Sequence, residues 1–177
     1  MLPDGYRIEE LTLDHAATLA DAYRRNRTHL QRWEPERDEA FFTEQGQAAS
    51  IAGQLTGARL GQAASWVLVH GERIVGRVNL SGIVLGVLRS ASIGYWVDAG
   101  HLGLGLATEA TRFVCDQARD RGLHRVEGGT LVHNTASQRV LEGCGFEAYG
   151  LAPRYLFIDG AWRDHRLYQR ILHDDPL

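Results

Sequence analysis

His101-Leu102-Gly103-Leu104-Gly105-Leu106-Ala107-Thr108-Glu109-Ala110 is the stretch that decides the fold of this 177-residue chain. It follows an alternating apolar run, Ala91-Ser92-Ile93-Gly94-Tyr95-Trp96-Val97. It opens a helical pattern in which Leu106, Ala110, Phe113, Val114 and Gln117 recur. Strand, glycine loop and helix start, in that order, form an anion site. Gly103 and Gly105 let the backbone approach a ligand closely. The helix entered near Gly105 turns its unpaired N–H groups and positive dipole end toward the anion. A phosphate-bearing ligand is therefore expected at residues 102–108.

Upstream, residues 6–13 read as a strand, with Thr12 or Asp14 capping a helix that carries Ala17, Leu19, Ala20 and Tyr23. A polar stretch from Asn26 ends at Pro35, and residues 43–60 read as a second helix. Residues 65–70 and 73–80 are β-rich runs joined by a turn at Gly71-Glu72, and residues 90–97 form the next strand. Downstream the helix stops at Gly122, and residues 125–131 follow as a strand. Residues 135–141 form a short helix entered from Asn134 and closed by Gly143 and Gly145. The runs 146–158 and 161–172 flank an Asp159-Gly160 hairpin turn. The order β-α-α-β-β-β-α-β-α-β-β predicts an α/β fold. It is a single domain over residues 6–172, with a strongly twisted mixed sheet flanked by helices, antiparallel early and parallel across the crossover at Gly105.

Composition narrows the chemistry. All 19 basic residues are arginine, so neither a GxxxxGK[ST] phosphate loop nor a pyridoxal Schiff base can form. A net charge of -3 gives no reason to expect nucleic acid as a partner. No apolar run is long enough to span a bilayer, and MLPDGYRIEE lacks the features of a signal peptide. Membrane association is therefore not expected, and a cytoplasmic location is. Cys115 and Cys144 show neither a disulfide framework nor metal spacing, and the histidines show no HxxxH pattern, so no metal is expected.

A dinucleotide fingerprint is a poor match. Thr108 stands where its third glycine or alanine belongs, and the loop comes after several strands instead of opening a βαβ unit. The other motifs point elsewhere. Asn134-Thr135-Ala136-Ser137 is followed by Val140-Leu141-Glu142 and Gly145-Phe146. Asn26-Arg27, Leu30 and Trp33-Glu34-Pro35 lie early, and Asp164-His165 and Tyr168 lie late. With the glycine loop, these residues resemble the GNAT N-acetyltransferases. More narrowly they resemble the RimJ/RimL branch, the ribosomal-protein N-terminal acetyltransferases, over nearly the whole chain.

The resemblance implies acetyl-CoA as co-substrate. Backbone amides of Leu102, Gly103, Leu104, Gly105, Leu106 and Ala107, with the Thr108 hydroxyl, would cradle its pyrophosphate. Leu102 stands where the family usually has Gln or Arg, so the loop is expected to bind through main-chain N–H groups. Main-chain atoms of Trp96 and Val97 would hold the pantetheine arm and polarise the acetyl carbonyl. Asn134 would bond the arm, and Ser137 would protonate the departing thiolate. A thiol of pKa about 8.5 asks little of that acid. Asp164 is the expected base, with Glu34 and His133 as alternatives. Asn26, Trp33, Glu34 and Tyr168 would contact the acceptor, and the 158–162 turn would help shape its pocket. The implied reaction is direct acetyl transfer to a primary amine, foremost a protein N-terminal α-amine, by a homodimer. A small-molecule amine (antibiotic or amino-acid derivative) and a non-catalytic acyl-CoA-binding role are the alternatives.

Overall fold

Alternating apolar residues build strands that bury both faces. Trp66 and Leu68 enter one core while Val67 and Val69 enter another, because successive side chains point to opposite sides of a sheet. A computed structural model describes residues 1–176. Its elements run β1 (Tyr6–Glu10), α1 (Ala16–Leu30), α2 (Glu44–Arg59), β2 (Ala63–His70), β3 (Arg73–Val84) and β4 (Ser90–Val97). They continue with α3 (Leu106–Asp120), β5 (Arg125–Leu131), α4 (Thr135–Gly143), β6 (Glu147–Ile158) and β7 (Ala161–Ile171). The element order is the one the sequence predicts. One seven-stranded sheet has the order β1-β2-β3-β4-β5-β7-β6. Its neighbours are antiparallel except β4 and β5, which are parallel across the α3 crossover.

Helices α3 and α4 cover one face, over Trp66, Leu80, Ile93, Leu106, Val114 and Leu141. Helices α1 and α2 cover the other, over Leu19, Tyr23, Ile51, Val67, Ile74 and Trp96. The first strand ends sooner than its apolar pattern suggests. Leu11 still donates to the Ser65 carbonyl, but Thr12 leaves the sheet to cap the turn Leu13–His15 in a reciprocal box with His15.

The feature that positions the site is how briefly β4 and β5 pair. Their ladder holds Ser90 to Arg125, Ala91 to Val126 and Ser92 to Glu127, and then stops. Past that point β4 pairs with β3 alone, and β5 with β7 alone. A cleft opens between them, bounded by the start of α3 on one side and the start of α4 on the other.

Candidate active site

The glycine loop sits at the mouth of this cleft. Gly103 and Gly105 hold φ of +77° and +75°, a left-handed region that L side chains rarely adopt. Nothing lies within 4 Å of a Cβ built at either, so the loop face is open. Gly105 is the N-cap of α3 and supplies no side chain to cap it, leaving the first-turn N–H groups to face the cleft mouth. Leu102 and Leu104 are exposed, as expected if the loop offers main chain and not side chains. An open left-handed loop at an uncapped helix start fits a pyrophosphate.

A buried clamp holds that loop from behind. The Asn26 amide nitrogen donates to the Ala22 carbonyl and to Asp98 Oδ2 at 2.7 Å, while its oxygen accepts the Ala99 N–H at 2.8 Å. Asp98 also accepts from Arg25 Nε at 2.8 Å and from the Gly100 N–H at 2.8 Å. Burial pushes the Asp98 carboxyl up, but Asn26, the Gly100 N–H and Arg25 outweigh it and hold the group below the usual carboxylate range. Asn26 is 1% exposed and all its polar atoms are spent, which corrects its expected contact with the acceptor. It ties α1 to the approach to the loop.

On the α4 side, Asn134 caps the helix through Oδ1, which accepts the Ser137 N–H at 3.1 Å. Ser137 faces β4, where Tyr95 Oη lies 2.8 Å from its Oγ. Thr108 leaves its carbonyl to the buried Cys144 thiol, 3.4 Å away. Burial pushes the Cys115 thiol up to about 11 and raises Cys144 as well, which suits neither to nucleophilic attack.

The opposite face of β4 carries a second polar group. Trp96 Nε1 donates to Tyr23 Oη at 3.0 Å, and Val97 beside it packs into the α3 core. Arg77 on β3 donates to Gln54 on α2, yet its buried Nε has no partner among the described residues. Glu34, half-buried just past α1, feels burial first, which pushes its carboxyl up, while Arg37 and Arg77 pull it back in part. Trp33 lies against His133, ring centroids 5.7 Å apart, so the segment after α1 reaches the loop that carries Asn134. Trp33 is thus brought to the loop before α4, and Glu34 lies near Arg77 and Tyr23.

Two further residues lie elsewhere. Tyr168 is fully buried in the α3–α4 core with its hydroxyl on Glu142 at 3.2 Å, so it cannot contact an acceptor, which corrects that expectation. Asp164 is exposed on β7, and its carboxylate accepts the N–H of Arg154, a residue at φ +51° in the β6 irregularity. Tyr95, Arg77, Tyr23 and Asp98 were not among the expected site residues. Arg77 had a signal, a lone charge inside Ile74-Val75-Gly76-Arg77-Val78; the other three read as ordinary strand, helix and turn residues.

Comparison with known proteins finds acetyltransferases that share this fold. The Bacillus subtilis probable N-acetyltransferase YjcK is 42% identical over 105 residues, 59% of this chain and 58% of that protein. The crystal structure of the ribosomal-protein-S5-alanine acetyltransferase from Vibrio fischeri superposes with a TM-score of 0.94 at 31% identity, covering 99% of this chain and 98% of that one. Mycobacterium smegmatis RimJ, solved in complex with CoA-disulfide, gives 0.89 at 32% identity over 94% of this chain and 81% of its own. The acetyltransferase (GNAT) domain family matches residues 6–147, and the chain belongs to that family.

Proposed function

We propose that the chain transfers acetyl from acetyl-CoA directly to the N-terminal α-amine of a ribosomal protein, with the alanine terminus of S5 as first candidate. The observation that carries this is the end-to-end similarity to the S5-alanine acetyltransferase. It is joined by a cleft that offers a pyrophosphate loop, an α4 hydroxyl and a half-buried carboxylate. The co-substrate supplies an activated thioester, so no enzyme nucleophile is called for.

Each residue then has a task. Amides of residues 102–107 and the Thr108 hydroxyl bind the pyrophosphate, and the main chain of Trp96 and Val97 with Asn134 aligns the arm. Ser137 donates to the departing sulfur. Trp33 and Glu34 face the acceptor. Of the two carboxylates considered for the base, Glu34 is favoured over Asp164, whose oxygen is already committed to Arg154. A ribosomal acceptor supports a cytoplasmic location; no helix among the described residues is long and apolar enough to cross a membrane. A homodimer would have its surface on the edge strand β6, which exposes Tyr149, Leu151 and Phe157.

The test is thiol release from acetyl-CoA with an S5 N-terminal peptide, a polyamine and an aminoglycoside side by side. Preference for the peptide is expected; preference for a small amine overturns the acceptor assignment. Background rates on all three, with tight coenzyme binding by calorimetry, identify a binding domain instead. Within this assay Ser137→Ala is expected to lower kcat by about tenfold or more, with little change in the KM for acetyl-CoA. An unchanged kcat removes Ser137 from the reaction. Gly105→Ala is expected to cost about 1 kcal/mol through its left-handed φ alone. It should also shrink the rise in melting temperature given by acetyl-CoA, as differential scanning fluorimetry reads directly.

A further inference from the structure

We propose that Tyr95 is a positioning residue for the transfer: its phenol holds the Ser137 hydroxyl so that the serine proton is directed at the sulfur. The inference rests on the acetyltransferase reading and adds a residue to it. Tyr95 lies in the part of β4 that has left β5, and its ring reaches α4. Its Oη is 2.8 Å from Ser137 Oγ and 3.2 Å from the Ser137 carbonyl oxygen. A phenol has one proton to give. The carbonyl, one turn inside α4, is the ordinary acceptor of the helix ladder, and the shorter contact is to Oγ. With the phenol donating to Oγ, the serine keeps its own proton free for a second partner.

The surroundings keep Tyr95 a donor. Burial raises its phenol far above the ordinary value, and the Ser137 hydrogen bond only partly offsets this. The titratable groups facing it, Cys144 and Tyr168, push in the same direction as burial. A buried phenolate without a cation is costly, so Tyr95 is not the proton source. It orients the group that is. In the transfer the amine nitrogen bonds to the acyl carbon while the carbon–sulfur bond breaks and its electron pair leaves on sulfur. The amine proton passes to Glu34 or water, and the Ser137 O–H hydrogen-bonds the sulfur. For a thiolate whose acid has pKa about 8.5, that hydrogen bond is most of what is needed.

The experiment combines kinetics with binding of free coenzyme A, using wild type, Tyr95→Phe, Ser137→Ala and the double variant. Tyr95→Phe should lower kcat about tenfold with the KM for acetyl-CoA unchanged, the worth of one hydrogen bond near the reacting atoms. In the Ser137→Ala background the same change should have no effect. By calorimetry, affinity for coenzyme A should rise in wild type between pH 7 and about 9.5, as the thiol ionises and accepts from Ser137. Both single variants should lose that rise. Equal losses of kcat in both backgrounds, or an unchanged pH dependence in Tyr95→Phe, overturn the proposal. A wild type that turns over no amine overturns the acetyltransferase reading alone, because the binding comparison still decides the role of Tyr95. A rise that survives Ser137→Ala overturns the proposal whatever Tyr95→Phe does.

Discussion

Glu34→Gln is expected to lower kcat/KM on an N-terminal peptide by about 10²-fold at pH 7, the low end for loss of a general base. The low end applies because an α-amine of pKa about 7.7–8.0 is already roughly a tenth neutral there. The pH dependence carries the sharper signature. With Glu34 as the base, the wild-type acceptor would bind as its abundant ammonium form and give its proton to Glu34. The rate is then level from the acceptor pKa down to that of Glu34. Burial places that lower limb above the usual carboxylate range, and below it the carboxyl is protonated and cannot accept. In Glu34→Gln only amine that arrives neutral can react, so the rate should climb with pH and the deficit shrink toward pH 8. Profiles of kcat/KM from about pH 5 to 9 read this directly. The base moves to Asp164 if Asp164→Asn gives the larger loss and Glu34→Gln keeps the wild-type profile.

Asn26→Ala is expected to cost about 3 kcal/mol, since it strips a partner from a buried carboxylate and orphans the Ala99 N–H. For a chain of this length that is a fall of roughly 10 °C in melting temperature. The Asp98 carboxyl is held below its unfolded value, so its contribution is complete above about pH 4 and is lost as pH falls through the folded value. Acid unfolding should therefore begin at higher pH in the variant, where less holds the carboxyl ionised. Because the clamp backs the glycine loop, acetyl-CoA affinity should weaken too, although Asn26 faces neither the loop's open side nor the acceptor. A melting temperature within about 2 °C of wild type would show that the clamp does not hold the fold.

The contrast between these two residues shows what was legible in the chain. Both stand in the Asn26 to Pro35 motif, and both were expected beside the acceptor. Glu34 comes near Arg77 and Tyr23, but Asn26 faces inward because Asp98, 72 positions away, turns a carboxylate toward it. Nothing local to Asn26 signals that encounter. Strands β4 and β5 fall on their expected bounds because period-two alternation and flanking turns are local signals. Tyr95 was hidden by the same alternation, which assigns a tyrosine to the core and does not show that its hydroxyl ends on α4. Tyr168 failed in the opposite sense, since its place near the chain end gave no hint that β7 enters the sheet beside β5 and buries it.

The short ladder between β4 and β5 bears on how this protein could be re-engineered. Where two neighbouring strands diverge inside a sheet, their main-chain donors and acceptors form an internal edge, the kind of surface that recognises an extended, amide-bearing chain whatever side chains flank it. Substitutions along β4 that keep the backbone would then leave thioester alignment largely intact. Selection for a new acceptor could act on Trp33 and Arg77 while Glu34 is kept as the proposed base and the donor grip stays constant. Directed-evolution libraries confined to those two positions would explore acceptor choice without removing the groups proposed for the transfer itself.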